Sequence, residues 1–137
     1  MIFMSSAHVE AMNQALRRSV EFQSVAATLP RQMALTYELQ DGPQGQTIHW
    51  TFRTGPEGTE FSLVRPEQPS DIRIRADWAE MIRAAIATRR GEHQAVAMDV
   101  QGDQSDLRRI EAVLQMARRV ATFDCEFPAI EGVLRAP

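Results

Sequence analysis

Three histidines, one cysteine and a scatter of carboxylates are the residues able to do chemistry, and their spacing decides whether they can. His8, His49 and His93 stand far apart, with no HxxxH or HxH pair, so no zinc-type ligand set forms. Cys125 lies between Asp124 and Glu126, an acidic setting that raises a thiol pKa where a nucleophile needs it lowered. A lone cysteine cannot close an internal disulfide and fits a reducing cytosol. Asp99 and Asp103 come close enough in sequence for an acid/base pair. However, alternation puts Asp99 on the wet side of a strand, and Asp103 is better used as a helix N-cap. No GxSxG, GxGxxG or P-loop occurs, and Gly42, Gly45, Gly55 and Gly58 serve turns. Arg53, Arg65, Arg73 and Arg75 fall on the polar positions of strands, where a solvated face that discourages edge pairing accounts for them. Catalytic and metal residues are therefore expected to be none, and no cofactor is called for.

The elements that would position any site follow from hydrophobic period. From about Ser6 to Leu29 the spacing of Val9, Met12, Leu16 and Val20 predicts helix, with Ser6 as N-cap, a break near Phe22 and a stop at Pro30. At Met33 the period changes to two. Leu35, Tyr37 and Leu39 alternate with polar residues up to the turn at Asp41-Gly42-Pro43. Ile48, Trp50 and Phe52, then Phe61 and Leu63, then Ile72 and Ile74 repeat the pattern, giving four short, mostly hairpin-linked strands. Asp77 and Glu80 have capping-box spacing ahead of the Trp78, Met81, Ile82, Ala85, Ile86 stripe, which Gly91 ends. Val96, Met98 and Val100 predict a fifth strand, and Gly102-Asp103 opens a last helix along Leu107, Ile110, Leu114 and Ala117. The tail, 121–137, contains Phe123, Phe127 and Ile130, but Pro128 and Gly132 forbid a long helix. The class is α+β: a five-stranded, mostly antiparallel sheet with helices covering one face.

Length and composition set the outer bounds. A chain of 137 residues suits one domain, with a helical start at 6–29, a core at 31–120 and an irregular tail. Hydrophobic residues at 44% and charged residues at 24% exclude a disordered tail or a fibre. The net charge of -3 lacks the basic excess of a dominantly nucleic-acid-binding surface, although all 15 cations are arginine. The first residues form no signal-peptide pattern, and every apolar stretch is interrupted before it could span a bilayer. The expectation is a cytoplasmic protein making at most transient membrane contact.

Three stretches in this order resemble the sterol carrier protein 2 (SCP2) domain family. They are the Ile48–Leu63 hairpin with Gly55-Pro56-Glu57-Gly58, the Ser70-Asp71-Ile72-Arg73-Ile74 strand, and the junction Val100-Gln101-Gly102-Asp103. The likeness runs over about residues 31–120, and the link from Gly91 to Gly102 is shorter than the family's usual one. It implies a non-enzymatic, bacterial-type module that carries a lipid or other apolar molecule (acyl chain, sterol, isoprenoid or quinone precursor) between sheet and helices. It also implies a biosynthetic enzyme as a partner. The residues that pattern offers to such a cavity are Tyr37, Trp50, Phe52, Phe61, Leu63, Ile74, Trp78, Met81, Ile82 and Met98, with the tail around Phe123 and Phe127 as a lid. The same pattern also builds an ordinary filled core. Two other readings stay open. One is an interaction module that docks an enzyme; the other is a small isomerase or cyclase using Tyr37, the one polar side chain on an inward strand face.

Overall fold

A helix begins where a side chain can satisfy its free N–H groups. In the computed structural model, which describes residues 1–128, Ser5 does this for α1 (Ser6–Arg18): its Oγ accepts the His8 N–H at 3.3 Å. The cap lies one residue before the expected Ser6. The expected 6–29 helix is two helices, broken at Ser19 rather than near Phe22. The extended Ser19 turns its Oγ to the Phe22 N–H at 3.1 Å and caps α2 (Val20–Ala26). That break resets the buried stripe, so that Leu16, Phe22 and Ala26 all face the core. Ile130 and Gly132 of the expected tail lie outside the described residues.

The sheet contains β1 (Met33–Gln40), β2 (Ile48–Thr54), β3 (Glu60–Ser62), β4 (Ile72–Asp77) and β5 (Asp99–Gln101), in the spatial order β3-β2-β1-β4-β5. Three pairings are antiparallel, as expected of a mostly antiparallel sheet. The exception is β4, which runs parallel to β1 with Leu35 beside Ile72 and Tyr37 beside Ile74. Hairpin logic missed this. The segment from Leu63 to Asp71 is too long and too rich in proline for a tight turn, and it crosses the sheet before entering β4. Two-residue alternation sends Met33, Leu35, Leu39, Phe52 and Ile72 to the inner face, and Thr36, Glu38, His49 and Arg73 to the outer one.

The helices cover the inner face alone. α1 lies against β3, α3 (Trp78–Arg89) against β4 and β1, and α4 (Gln104–Val120) against β1 and β2. Asp77 caps α3 by accepting the Glu80 N–H at 3.0 Å. Gly91, at φ 75°, closes it, with the Glu92 and Gly91 N–H groups returning to the Ala87 and Thr88 carbonyls. Asp103 caps α4 through one carboxylate oxygen that accepts from both Ser105 and Asp106. Asp103→Ala should therefore lower stability by about 1 kcal/mol, read as a lower urea midpoint at unchanged slope.

The fifth strand is shorter than its alternation suggests. Only Asp99–Gln101 pairs, against Arg73–Arg75, and all three residues are exposed. No described helix packs over this edge as α3 packs over β4, so Val100 is 44% exposed and Met98 48%.

Candidate functional site

Cross-strand neighbours on one face of a sheet bring their side chains within contact, and the inner face of β1 and β2 places aromatics at those positions. Tyr37 stands opposite Trp50, with ring centroids 5.7 Å apart. Trp50 stacks on Phe61 at 5.5 Å, and Phe61 meets Phe52 at 4.9 Å. At the far end Phe3 meets the edge of Trp50 at 6.4 Å, and Phe127 tilts against Phe3 at 5.0 Å. The result is a continuous aromatic column from the middle of the sheet to the margin of the helical layer. The Arg89 guanidinium sits 6.0 Å over the Phe127 ring at that margin.

Residues 1–5 and 123–128 close the margin together. Ile2 and Glu126 form a parallel bridge; the Phe3 N–H donates to the Glu126 carbonyl at 2.8 Å, and the Glu126 N–H donates to the Met1 carbonyl at 2.9 Å. Phe3 and Phe127 stay half-buried, held by these few bonds and by ring contacts. Beneath them the column holds two polar groups. Trp50 Nε1 is buried without a hydrogen-bond partner, and the Tyr37 hydroxyl accepts a long 3.4 Å bond from Arg118.

Of the ten residues expected to meet a guest, Tyr37, Trp50, Phe52, Phe61, Ile74, Trp78 and Ile82 are buried together in the sheet–helix layer. Leu63 and Met81 are half-buried at its border. Met98 is outside it, exposed beside the edge strand, because β5 begins only at Asp99. Phe3 and His8 join the group without having been expected there. The bridge that places Phe3 links residue 2 to residue 126, and no local period carries that information.

Two concavities lie elsewhere. One, of about 380 Å³, is on the outer face of the sheet under the Arg65–Asp71 segment, and the other, of about 490 Å³, is open against Asp77, Glu80 and Met98. Several charged and polar groups of the outer groove are paired with one another. Glu38 takes Arg73 at 3.2 Å and Arg75 at 2.9 Å, Asp71 takes Arg31 at 3.0 Å, and Thr36 bonds Thr51 and Ser70. His49 is half-buried on its floor, His93 is exposed in the link after α3, and Cys125 is half-buried beside the terminal bridge. Among the described residues no group of three or more His, Cys, Asp or Glu could hold a metal ion. No described helix is long and apolar enough to cross a membrane.

This strand order, with helices on one face and an aromatic inner layer, is the SCP2-like α+β fold. Solved structures share it, among them these two. The crystal structure of sterol carrier protein 2 is 18% identical, with 85% of this chain and 95% of that one covered at a TM-score of 0.54. The solution structure of a conserved hypothetical protein from Thermus thermophilus, a candidate sterol carrier protein, is 19% identical, with 91% of each chain covered at a TM-score of 0.54. No protein-family model and no curated protein matches the sequence.

Proposed function

We propose that the chain is a non-catalytic binding domain that carries a lipid or other apolar small molecule between its sheet and helices. The observation behind this reading is the aromatic column closed by Phe3 and Phe127. A stack of large rings that ends in a half-buried plug, held by two terminal segments, can admit a guest by parting those segments alone. The likeness to a sterol carrier protein points the same way. An acyl, isoprenoid or sterol body would lie against Trp50, Phe61 and Ile82, each buried CH₂ contributing about 0.8 kcal/mol. Trp50 Nε1 and the Tyr37 hydroxyl would then offer the guest's polar end its hydrogen bonds. The carrier acts in the cytosol and hands its guest to a biosynthetic enzyme.

Native mass spectrometry of the full chain with fatty acid, acyl-CoA and quinone probes tests the reading. A single bound copy of at least one probe is expected, and Phe127→Ala should speed its association severalfold by thinning the plug. A protein that remains ligand-free against all three classes overturns the proposal.

A further inference from the structure

His8 is 2% exposed, yet it is a titratable ring packed against Phe3 at the end of the aromatic column. Its Nδ1 lies 3.0 Å from the Met4 backbone nitrogen. A backbone N–H can only donate, so Nδ1 must be the bare acceptor nitrogen of a neutral imidazole. The segment it holds is not at rest on its own. Met4 sits at φ 62°, a left-handed conformation that a non-glycine residue adopts at a cost. Besides the Met4–His8 bond, the turn is held by the Ser5 N–H and hydroxyl on the Ile2 carbonyl. The same turn presents Phe3 to Phe127 and carries the backbone bonds to Glu126.

We infer that His8 is an acid-operated latch on the strap formed by residues 1–5 and 123–128. Neutral, its Nδ1 fixes Met4 and keeps Phe3 seated over Trp50; protonated, it loses that acceptor, sets one N–H against another, and lets the strap part.

The surroundings agree on the direction. The ring contact is to Phe3, which offers nothing to a cation's hydrogen bonds, and the charged groups that act on His8 are Arg89 of α3 and the chain's amino terminus, both positive. Burial first, then Arg89, then the amino terminus hold the imidazole below its ordinary value of 6.5. The sign follows from linkage. Above that ordinary value neither the open nor the closed form takes a proton and the strap is shut. As pH falls below it, the open form, with a solvated imidazole, takes the proton first and gains population.

Gating of cargo by this latch rests on the proposed carrier function, but the latch itself does not, so the test uses the ligand-free full chain. Amide hydrogen exchange followed by NMR from about pH 7.5 to about pH 5, each rate divided by its intrinsic value, reads the strap at Phe3 and Glu126 and the core at Leu35 and Phe52. We expect strap protection to drop roughly tenfold or more across that range while core protection holds. His8→Asn keeps an acceptor oxygen near the place of Nδ1 but cannot charge, so its strap protection should be flat with pH. Arg89→Gln leaves His8 in place and removes the nearby positive charge, so the midpoint should move to higher pH. A merely structural role for Arg89 would lower protection at every pH and leave the midpoint unmoved. Flat strap protection in the wild type, an equal pH response in His8→Asn, or an unmoved midpoint in Arg89→Gln overturns the latch. Probe binding plays no part in these outcomes, so a chain that binds no lipid can still show the latch, and the converse holds.

Discussion

Gly102→Ala is expected to lower stability by roughly 3 kcal/mol, whereas Gly45→Ala should cost only about 1 kcal/mol. Both glycines have positive φ, 135° and 76°, so both substitutions strain the backbone. Only one meets an obstacle. A Cβ on Gly45 would find open space, but a Cβ on Gly102 would lie 2.5 Å from the Asp71 carbonyl oxygen and 2.6 Å from Ile72 Cδ1. The carbonyl belongs to a residue that cannot yield cheaply. Asp71 accepts the Ala34 N–H at 2.8 Å and pairs with Arg31, which also reaches Asp106 in the first turn of α4 at 2.8 Å. Moving Asp71 aside would disturb β1, β4 and the start of α4 together. Urea denaturation of the two variants decides the matter, and equal losses would show that the contact yields freely.

That junction explains why the sequence could be read as far as it was. Ser70-Asp71 and Gly102-Asp103 stand about thirty residues apart and look like two short motifs, yet in the fold they are one contact: Gly102 is small so that the exit from β5 can pass Asp71, and Asp103 then caps α4. Alternation located β1, β2 and β4 because each has one apolar face turned to the core and one mainly polar face, and period two reports that difference directly. It overreached at Val96 and Met98, which lie before the paired residues Asp99–Gln101: Val96 packs partly against the core without joining the sheet, and Met98 is exposed. The parallel pairing of β4 with β1 was not legible, since strand direction is set by how Leu63–Asp71 travels and not by the strand's own residues. Trp50, Phe61 and Ile82 were legible as inward-facing and the tail around Phe127 was expected as a lid, whereas its partner Phe3 was not legible, because Phe3 and Phe127 meet only when the whole chain has folded.

Phe52→Ala is expected to have the largest effect of any single truncation in the column, about 3–5 kcal/mol. Phe52 is 2% exposed on a strand paired along both edges, with Leu35 opposite and the Phe61 ring 4.9 Å away. Its neighbours are held by backbone ladders on either side, so the space left by the ring cannot close, and the cavity term adds to the lost transfer energy. Val100→Ala removes an apolar group too, but from an exposed edge position, and should change stability by less than about 0.5 kcal/mol. Phe3→Ala should fall between them, because Phe3 is half-buried and its segment can settle after the loss. On the proposed carrier function, the ordering bears on where a guest would enter. A carrier whose layer parts at the plug keeps a rigid centre and a yielding margin, so Phe52 should far exceed Phe3 in cost. Benzene or xenon should then restore part of the stability of Phe52→Ala, by filling a hole that stays open and dry. A loss at Phe52 no greater than about 1 kcal/mol, with no response to either probe, would mean that the centre of the layer already adapts its packing, and guest space would have to be sought there and not beneath Phe3 and Phe127.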